Sequence, residues 1–267
     1  MTILVTKGGI VIKKIYLIAL LLIISSLPVS AFVVNGAIYT TTLTKYLWRG
    51  IAINDGPAIQ SGLILGADGI TLQLWTSCQQ KISPDLFDEI DLYANYEHSI
   101  PYADFLTVSI GYASYMEAPF HYPNIIPLQE INLTLKSDII SSPYLTWYHS
   151  IDAFTINNFL EGGVSYEYEI GKLSGGETII GIAGTLGYNL TLNNVLPKGK
   201  YSIGFTVAGL NFYSNYYISS FTITPSVLFQ LGLNNEKNID GSKIYKNYAT
   251  ASILVNYSFN IGTETIQ

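Results

Sequence analysis

Residues 46–96 read YLWRGIAINDGPAIQSGLILGADGITLQLWTSCQQKISPDLFDEIDLYANY, and the pattern of this stretch indicates the fold class. Apolar and polar residues alternate along much of it with a period of two, which places successive side chains on opposite faces of an extended chain. Two of its breaks, Asn54 to Pro57 and Ala67 to Gly69, contain the Asp-Gly sequence that favours tight turns. The stretch therefore predicts a meander of four short antiparallel strands.

The composition of the whole chain is unusual for a soluble domain. Only 12% of the residues are charged, against about a quarter in typical soluble proteins, and 21 of the 267 residues are tyrosine. Beyond the first 31 residues, no run of 18 apolar residues remains that would cross a membrane as a helix. If the mature chain lies in a membrane, we expect it to cross with strands that are apolar towards lipid and polar towards a lumen.

The first 31 residues have the features of a secretory signal peptide. Two lysines precede the apolar run from Ile15 to Leu27, and Val29-Ser30-Ala31 supplies the small residues at which signal peptidase cleaves. A retained membrane anchor is the rival interpretation, but the run has 13 residues and a spanning helix needs about 20. We therefore expect a cleaved signal peptide at residues 1–31 and one barrel domain at residues 32–267.

Charge and cysteine content narrow the range of partners and cofactors. Three of the 13 basic residues lie in the signal segment, so the mature chain carries 10 basic against 19 acidic residues and is not expected to bind nucleic acid. Cys78 stands alone, which excludes an internal disulfide framework. No metal-ligand spacing and no phosphate-binding glycine loop is present, so the sequence predicts neither a metal nor a cofactor.

Twelve candidate strands follow one another along the mature chain. They cover residues 37–50, 57–66, 70–79, 88–98, 105–114, 128–136, 143–150, 159–169, 177–188, 200–211, 220–231 and 248–260. Connections after odd-numbered strands are mostly long and those after even-numbered strands short, which is typical of outer-membrane barrels with long external loops and short periplasmic turns.

This rhythm predicts an all-β fold, a transmembrane antiparallel up-and-down β-barrel of about 12 strands (range 10 to 14). Its place would be the bacterial outer membrane, and an even number of strands puts both termini in the periplasm. Its partners would be the outer-membrane lipid, small hydrophilic solutes and the barrel-insertion machinery.

The alternation also predicts where the carboxylates point. A charge facing hydrocarbon is unfavourable, by roughly 2 to 4 kcal/mol for a lysine or arginine at the bilayer midplane, so the acids of the strands are expected to face the lumen. The pore-lining or register-setting candidates are Arg49, Glu89, Asp91, Glu97, Glu130, Glu161, Glu167 and Glu169. These residues predict a porin-like channel for passive diffusion of small hydrophilic solutes that prefers cations. The alternative is a closed barrel, structural or partner-binding, without channel activity.

Arg49, the only arginine, is the most specific single candidate. Opposite Glu89 and Asp91 it would either narrow the pore and set its electric field or form a structural ion pair that fixes strand register. We favour the structural ion pair, because an unpaired arginine inside a narrow barrel is unfavourable.

The register of the first strand is ambiguous. Turning Lys45 and Arg49 inward also turns Leu43 and Leu47 inward, which is an unusual lining for a polar lumen. The same placement turns Tyr46 and Trp48 outward, as candidates for the aromatic girdle at the membrane interface.

The chain is not expected to be an enzyme. A serine and a histidine that act together in hydrolysis must lie within hydrogen-bond reach of each other. The pairs His98-Ser99 and His149-Ser150 are adjacent in sequence, so in a strand the two side chains of each pair point to opposite faces.

The chain resembles the family of bacterial outer-membrane porins called TorF or Gcw_chp. The resemblance lies in the stretch YLWRGIAINDGPAIQSGL and in LWTS and EIDLYANY, which follow it. The resemblance covers about 50 residues and implies a barrel that forms a porin. The positions that match the family pattern are Tyr46, Trp48, Arg49, Gly50, Pro57, Ala58, Gln60, Gly62, Trp75, Ser77, Glu89, Asp91, Leu92, Tyr93 and Tyr96.

Overall fold

The computed structural model describes residues 33–53, 56–79, 88–117, 127–151, 158–173, 176–190, 203–234, 243 and 245–261. The predicted signal peptide, residues 1–31, lies outside the described residues, so its presence and cleavage stay predictions. No helix in the described part of the chain is long and apolar enough to span a membrane.

The regular structure of the described residues consists of fourteen β-strands. They are β1 (Val34–Leu43), β2 (Leu47–Trp48), β3 (Ile51–Ala52), β4 (Ala58–Ala67), β5 (Ile70–Gln79), β6 (Glu89–Ile100), β7 (Ala103–Glu117), β8 (Leu128–Ser137), β9 (Tyr144–Ser150), β10 (Asn158–Leu173), β11 (Gly176–Asn189), β12 (Gly204–Ile218), β13 (Phe221–Gly232) and β14 (Tyr248–Ile261).

Twelve of these strands form a closed barrel, in the ring order β1-β14-β13-β12-β11-β10-β9-β8-β7-β6-β5-β4, and β2 and β3 form a separate two-stranded sheet. Each barrel strand pairs antiparallel with its neighbours, and β1 closes the ring because it pairs with both β4 and β14. The predicted all-β antiparallel barrel of about 12 strands is therefore confirmed. Nine predicted strands agree with the observed ones within three residues at each end, whereas β10 and β12 continue further, to Leu173 and Ile218.

The two ends of the barrel differ in the length of their connections. At one end the turns are short, as at Asp68-Gly69 between β4 and β5, where both residues have positive φ angles of 49° and 80°. Positive φ at both positions is what a two-residue type I′ hairpin requires. Val34 pairs with Ile261 and Asn35 with Gly66, so β1 begins and β14 ends at this same short-turn end.

The outer and inner faces of the wall have opposite character. Large apolar side chains are exposed on the outer face at every second position, as at Leu72 (53%), Ile110 (57%), Val164 (50%) and Phe229 (50%). Polar residues alternate with them on the inner face. An exposed apolar belt around a polar interior is the arrangement of a barrel that lies in lipid.

The predicted end of the first strand, which the sequence places at residues 37–50, is wrong. The barrel strand stops at Leu43, and the chain then turns into the interior and forms β2 and β3 before it rejoins the wall at Ala58. The physical reason is local: Arg49-Gly50 forms a tight turn that reverses the chain, so the apolar residues that follow Leu43 belong to a second, smaller hairpin.

Candidate functional site

The site is built around the hairpin of β2 and β3, which we call the lumen hairpin (residues 46–53). Leu47 pairs with Ala52 and Trp48 with Ile51, which leaves Arg49 and Gly50 as a two-residue turn with φ angles of 46° and 89°. This is the type I′ geometry, in which glycine and asparagine are usual. A residue other than glycine in this region costs on the order of 1 to 3 kcal/mol, so the surroundings of Arg49 must hold it there.

Arg49 is held by a carboxylate on the opposite wall. Its Nη1 and Nη2 donate to the two carboxylate oxygens of Glu130 on β8, at 2.8 and 2.7 Å. The Tyr115 hydroxyl donates to the same carboxylate at 3.0 Å. The arginine and glutamate side chains are 12% and 2% exposed. Two parallel hydrogen bonds to a planar guanidinium fix orientation as well as distance, so the pair locks the hairpin tip to β8.

Aromatic rings complete the enclosure of the guanidinium. Its central carbon lies 4.2 Å from the centre of the Tyr148 ring, 4.6 Å from Trp48 and 5.1 Å from Phe159. Burial by itself lowers the pKa of Arg49, but the hydrogen bonds and the charge of Glu130 outweigh it, so the pKa lies above the ordinary arginine value. Arg49 therefore stays charged at every physiological pH.

A second contact holds the hairpin tip from another side. The Gln230 side-chain amide on β13 donates to the Gly50 carbonyl at 2.8 Å. Gly50 also packs so closely on Val207 of β12 that a β-carbon at position 50 would lie 2.9 Å from the Val207 β-carbon. Since β8 and β13 stand on opposite sides of the ring, the tip is fastened to two distant parts of the wall.

The root of the hairpin is fixed as well. Tyr46 is buried and packs on Trp75 of β5, with ring centres 5.6 Å apart, in a cluster with Leu43 and Ala58. The Ile53 amide donates to the Tyr46 carbonyl at 3.0 Å, which closes the hairpin. The prediction that Tyr46 and Trp48 face outward as girdle residues is wrong, because both lie inside the barrel on the hairpin.

The hairpin has an interior cavity on each side. One, the Glu161 cavity, has a volume of about 380 Å³ and is lined from β6 to β10 by residues that include Asn95, Asn132, Thr146 and Glu161. The other, the Lys45 cavity, has a volume of about 390 Å³ and is lined from β1, β4 and β11 to β14 by residues that include Lys45, Gln60, Thr185 and Asn211. Leu47 lines both cavities, so the hairpin forms the partition between them.

The structure changes the predicted partner of Arg49. The guanidinium pairs with Glu130 on β8 rather than with Glu89 and Asp91 on β6. Asp91 instead accepts a hydrogen bond from the Tyr93 hydroxyl at 2.8 Å, and Glu89 is hydrogen-bonded to Tyr46. The correction follows from the inward turn after Leu43, which carries the arginine away from β6 and across the lumen.

Of the other predicted acids, Glu161 lies in the Glu161 cavity, and Glu97, Glu167 and Glu169 lie on the wall nearer the short-turn end. Glu161 accepts a hydrogen bond from the Tyr144 hydroxyl at 2.9 Å. Towards the short-turn end, Glu97 forms an ion pair with Lys136, and Glu167 accepts hydrogen bonds from Tyr213 at 2.9 Å and Asn215 at 3.3 Å.

Glu169 follows Glu167 on the same face of β10, at the last paired position before the register shift between Glu169 and Gly171. The hairpin thus brings together Arg49 and Glu130, with Glu161 in the cavity beside them, and leaves Glu97, Glu167 and Glu169 apart from this group.

Sequence reasoning missed the wall residues that hold the hairpin tip, namely Tyr148, Phe159, Val207 and Gln230. No local pattern marks them, because each belongs to an ordinary alternating strand. A signal for the hairpin itself was present: Arg49-Gly50 stands between the apolar pairs Leu47-Trp48 and Ile51-Ala52, which is the pattern of a two-residue hairpin turn ending in glycine.

The His149 and Ser150 side chains lie on opposite faces of β9. The Ser150 hydroxyl faces Glu130 in the interior, at 3.5 Å. The His149 ring lies on the other face of β9, stacked with Trp147 and 3.0 Å from the Asn158 side-chain oxygen. Among the described residues, no group of three or more His, Cys, Asp or Glu side chains is placed to hold a metal ion.

Comparison with known proteins gives structural neighbours only. No family model matches the chain, and no curated protein matches it, so the resemblance to the TorF family stays a prediction. Among solved structures, the KdgM porin matches with a TM-score of 0.50 and 11% identity, over 84% of this chain and 99% of that one. LpxR from Salmonella typhimurium matches with a TM-score of 0.50 and 9% identity, over 83% and 99%.

The NanC porin matches with a TM-score of 0.49 and 13% identity, over 85% of this chain and 99% of that one. At such low identities, the KdgM and LpxR matches show that this chain shares their barrel fold.

Proposed function

We propose that this chain is a porin-like channel of the bacterial outer membrane, through which small hydrophilic solutes diffuse passively, with a preference for cations. The observation that carries the proposal is the closed barrel whose polar interior keeps a cavity on each side of the lumen hairpin. The hairpin narrows the interior, so the solutes it admits are small.

The outer surface supports the location in a membrane. Large apolar side chains are exposed all around the ring. So many of them would be unfavourable in water and favourable in contact with lipid. Because β1 begins and β14 ends at the short-turn end, both termini face the periplasm if the short turns do. A cleaved signal peptide at residues 1–31 and assembly by the barrel-insertion machinery belong to the same proposal.

Several tyrosine rings lie along the inner wall and leave the lumen space free. The rings of Tyr144 and Tyr213 cover glycines of the neighbouring strands, Gly163 and Gly181, where any β-carbon would overlap the ring. A large side chain that points inward without such a glycine would project into the lumen. This packing keeps hydroxyl groups at the wall and supports an interior that solutes can pass.

The cation preference rests on the balance of interior charge. Among the described residues, the interior contains seven predicted lumen acids and three bases, Arg49, Lys45 and Lys136. Arg49 and Lys136 each form an ion pair with one of these acids. The excess of seven acids over three bases among these residues gives the interior a net negative charge, and charged groups that line a pore set its selectivity.

Two measurements on the refolded mature chain test the proposal. Liposomes that contain it should swell in small sugars or amino acids faster than protein-free liposomes, and the rate should fall as solute size increases. In planar bilayers under a KCl gradient, the reversal potential should have the sign of a cation-selective pore. Anion selectivity would contradict the preference, and the absence of both swelling and current would favour the closed, structural or partner-binding barrel.

A further inference from the structure

We propose that the Glu161 cavity is a binding site for small organic ammonium ions, which makes such ions the preferred solutes of the channel. The inference rests on the proposed channel function and adds a class of solute to it. The cavity lies between the lumen hairpin and strands β6 to β10, and its volume is about 380 Å³. Ligand cavities in proteins span roughly 300 to 1,000 Å³, so this one suits a small solute.

The carboxylate of Glu161 supplies the charge that selects a cation. Its Oε1 accepts a hydrogen bond from the Tyr144 hydroxyl at 2.9 Å. Among the residues that the structure describes, no group donates to its Oε2, and no lysine or arginine forms an ion pair with it. Glu161 is partly exposed at the cavity surface. An ammonium group placed against Oε2 would therefore form a charge-assisted hydrogen bond.

Arg49, the other charged residue of the described lining, opposes a cation only weakly. Its Nη1 and Nη2 both donate to the Glu130 carboxylate, at 2.8 and 2.7 Å, so its positive charge is compensated within the pair. The charge of Glu161 is then left over, and the cavity is negative. A negative cavity attracts cations and repels anions.

Two amide side chains of the lining can share the binding of an ammonium group, which has three N–H donors when it is primary. Asn95 on β6 and Asn132 on β8 both line the cavity, and each has a carbonyl oxygen. Both lie over Gly111 of β7, the strand between them, where a β-carbon would overlap both side chains. The glycine thus leaves room for two oxygen acceptors in the same cavity as the carboxylate.

Aromatic rings form the apolar part of the lining. The hydroxyls of Tyr93 and Tyr115 donate to Asp91 and Glu130, which lie outside the lining, so the two tyrosines present ring surface to the cavity. Their ring centres are 5.9 Å apart, and Trp48 lies 6.0 Å from Tyr115. Aromatic rings pack on hydrocarbon and attract cations to their faces.

This combination favours an organic ion over a metal ion. Calcium takes about six to eight oxygen ligands, including carboxylates, and a hydrated ion gains little from ring surface. The described lining contains one carboxylate, that of Glu161. An ammonium ion with a small carbon skeleton uses the carboxylate, the amide oxygens and the rings together.

The test compares three solutes of matched size on the refolded mature chain. They are protonated aminocyclohexanol, neutral cyclohexanediol and anionic hydroxycyclohexanecarboxylate, each substituted at opposite ring carbons. Binding is followed in detergent micelles by tryptophan fluorescence, because Trp48 lines the cavity. This measurement does not need a conducting channel. The potassium current in planar bilayers is then recorded with each solute on one side.

Two variants locate the site. Glu161→Gln removes the charge but keeps an oxygen for the Tyr144 hydroxyl. Glu167→Gln is the matched control, because Glu167 lies on the same face of β10 but outside the lining of the cavity.

We expect the ammonium solute to bind roughly tenfold to a hundredfold more tightly than the diol, since a hydrogen bond to a charged group adds about that factor. The carboxylate solute should bind most weakly. Glu161→Gln should lower the affinity for the ammonium solute to about that for the diol, and Glu167→Gln should leave it unchanged. The ammonium solute should also reduce the potassium current of the wild type in a saturable manner.

Equal affinity of the wild type for the ammonium solute and the diol would overturn the inference, and so would equal losses in the two variants. A measured current would leave the channel function in place in either case. Selective binding of the ammonium solute by a chain that carries no current would instead overturn the channel function and leave the site in place.

Discussion

The guanidinium of Arg49 and the carboxylate of Glu130 meet across the barrel interior through two hydrogen bonds of 2.8 and 2.7 Å. Residue 49 stands at the tip of the lumen hairpin and residue 130 near the start of β8, so the pair joins the hairpin to the far wall. Because both side chains are almost fully shielded from water, neither charge has an alternative partner in solvent. The position of the hairpin, and with it the shape of the lumen, depends on this pair.

Removal of the carboxylate should therefore destabilise the fold strongly. Glu130→Gln leaves the arginine charged and buried without its counterion, and the loss of one member of such a pair typically costs about 3 to 5 kcal/mol. We expect the free energy of unfolding to fall by about this amount in urea titrations followed by tryptophan fluorescence.

The ion pair of Glu97 and Lys136 is the matched control. Both side chains are 46% exposed, and exposed pairs contribute about 0 to 1 kcal/mol because water and salt screen them. Glu97→Gln should leave the unfolding midpoint almost unchanged. Equal effects of the two substitutions would show that the Arg49–Glu130 pair is no more important than a surface pair.

Gly50→Ala should loosen the hairpin without disturbing the barrel wall. The φ angle of 89° disfavours alanine, and its β-carbon would press on Val207, so the tip must move away from β12 and from Gln230. We expect larger current fluctuations in single-channel recordings, with a barrel that still unfolds at nearly the wild-type denaturant concentration.

Gly56→Ala is the control in the same connection, since nothing lies within 4 Å of a β-carbon at that position. Its recordings should match the wild type. If the current fluctuations of Gly50→Ala are as small as those of the wild type, the tip contact does not restrain the hairpin.

Gly181→Ala should narrow the lumen towards the short-turn end. A β-carbon at position 181 would overlap the Tyr213 ring, and the ring would have to leave the wall and project inward. The expected result is a lower single-channel conductance. Gly184→Ala, on the outer face of the same strand, meets only Val164 at 3.9 Å and should conduct like the wild type. If the two variants conduct equally, the tyrosine packing does not determine the width.

The sequence predicted the barrel well because its signals are local. Alternation in strands such as β6, β8 and β10 follows from the period of two, and the Asp68-Gly69 turn follows from the backbone freedom of glycine. The same reasoning could not find the clamp of the hairpin, because Glu130 and Gln230 lie 81 and 180 residues from the groups they bind. Such long-range pairs are set by the closure of the ring.

The prediction for the first strand is wrong for a related reason. Its extended pattern continues past Leu43 with an ambiguous register, and the three-dimensional path shows that Tyr46, Trp48 and Arg49 belong to a ribbon inside the lumen. Two adjacent elements with the same period cannot be separated by periodicity alone.

The most direct test of a channel narrowed by a clamped hairpin is the single-channel conductance of two refolded chains in planar bilayers. One is the wild-type mature chain, and in the other a flexible Gly-Ser linker of equal length replaces the lumen hairpin, residues 46–53. We predict a measurable, cation-selective conductance for the wild type and a larger one for the linker variant, because the clamped hairpin no longer fills part of the lumen. A wild-type chain that conducts no current, whether or not the linker variant does, would contradict the account.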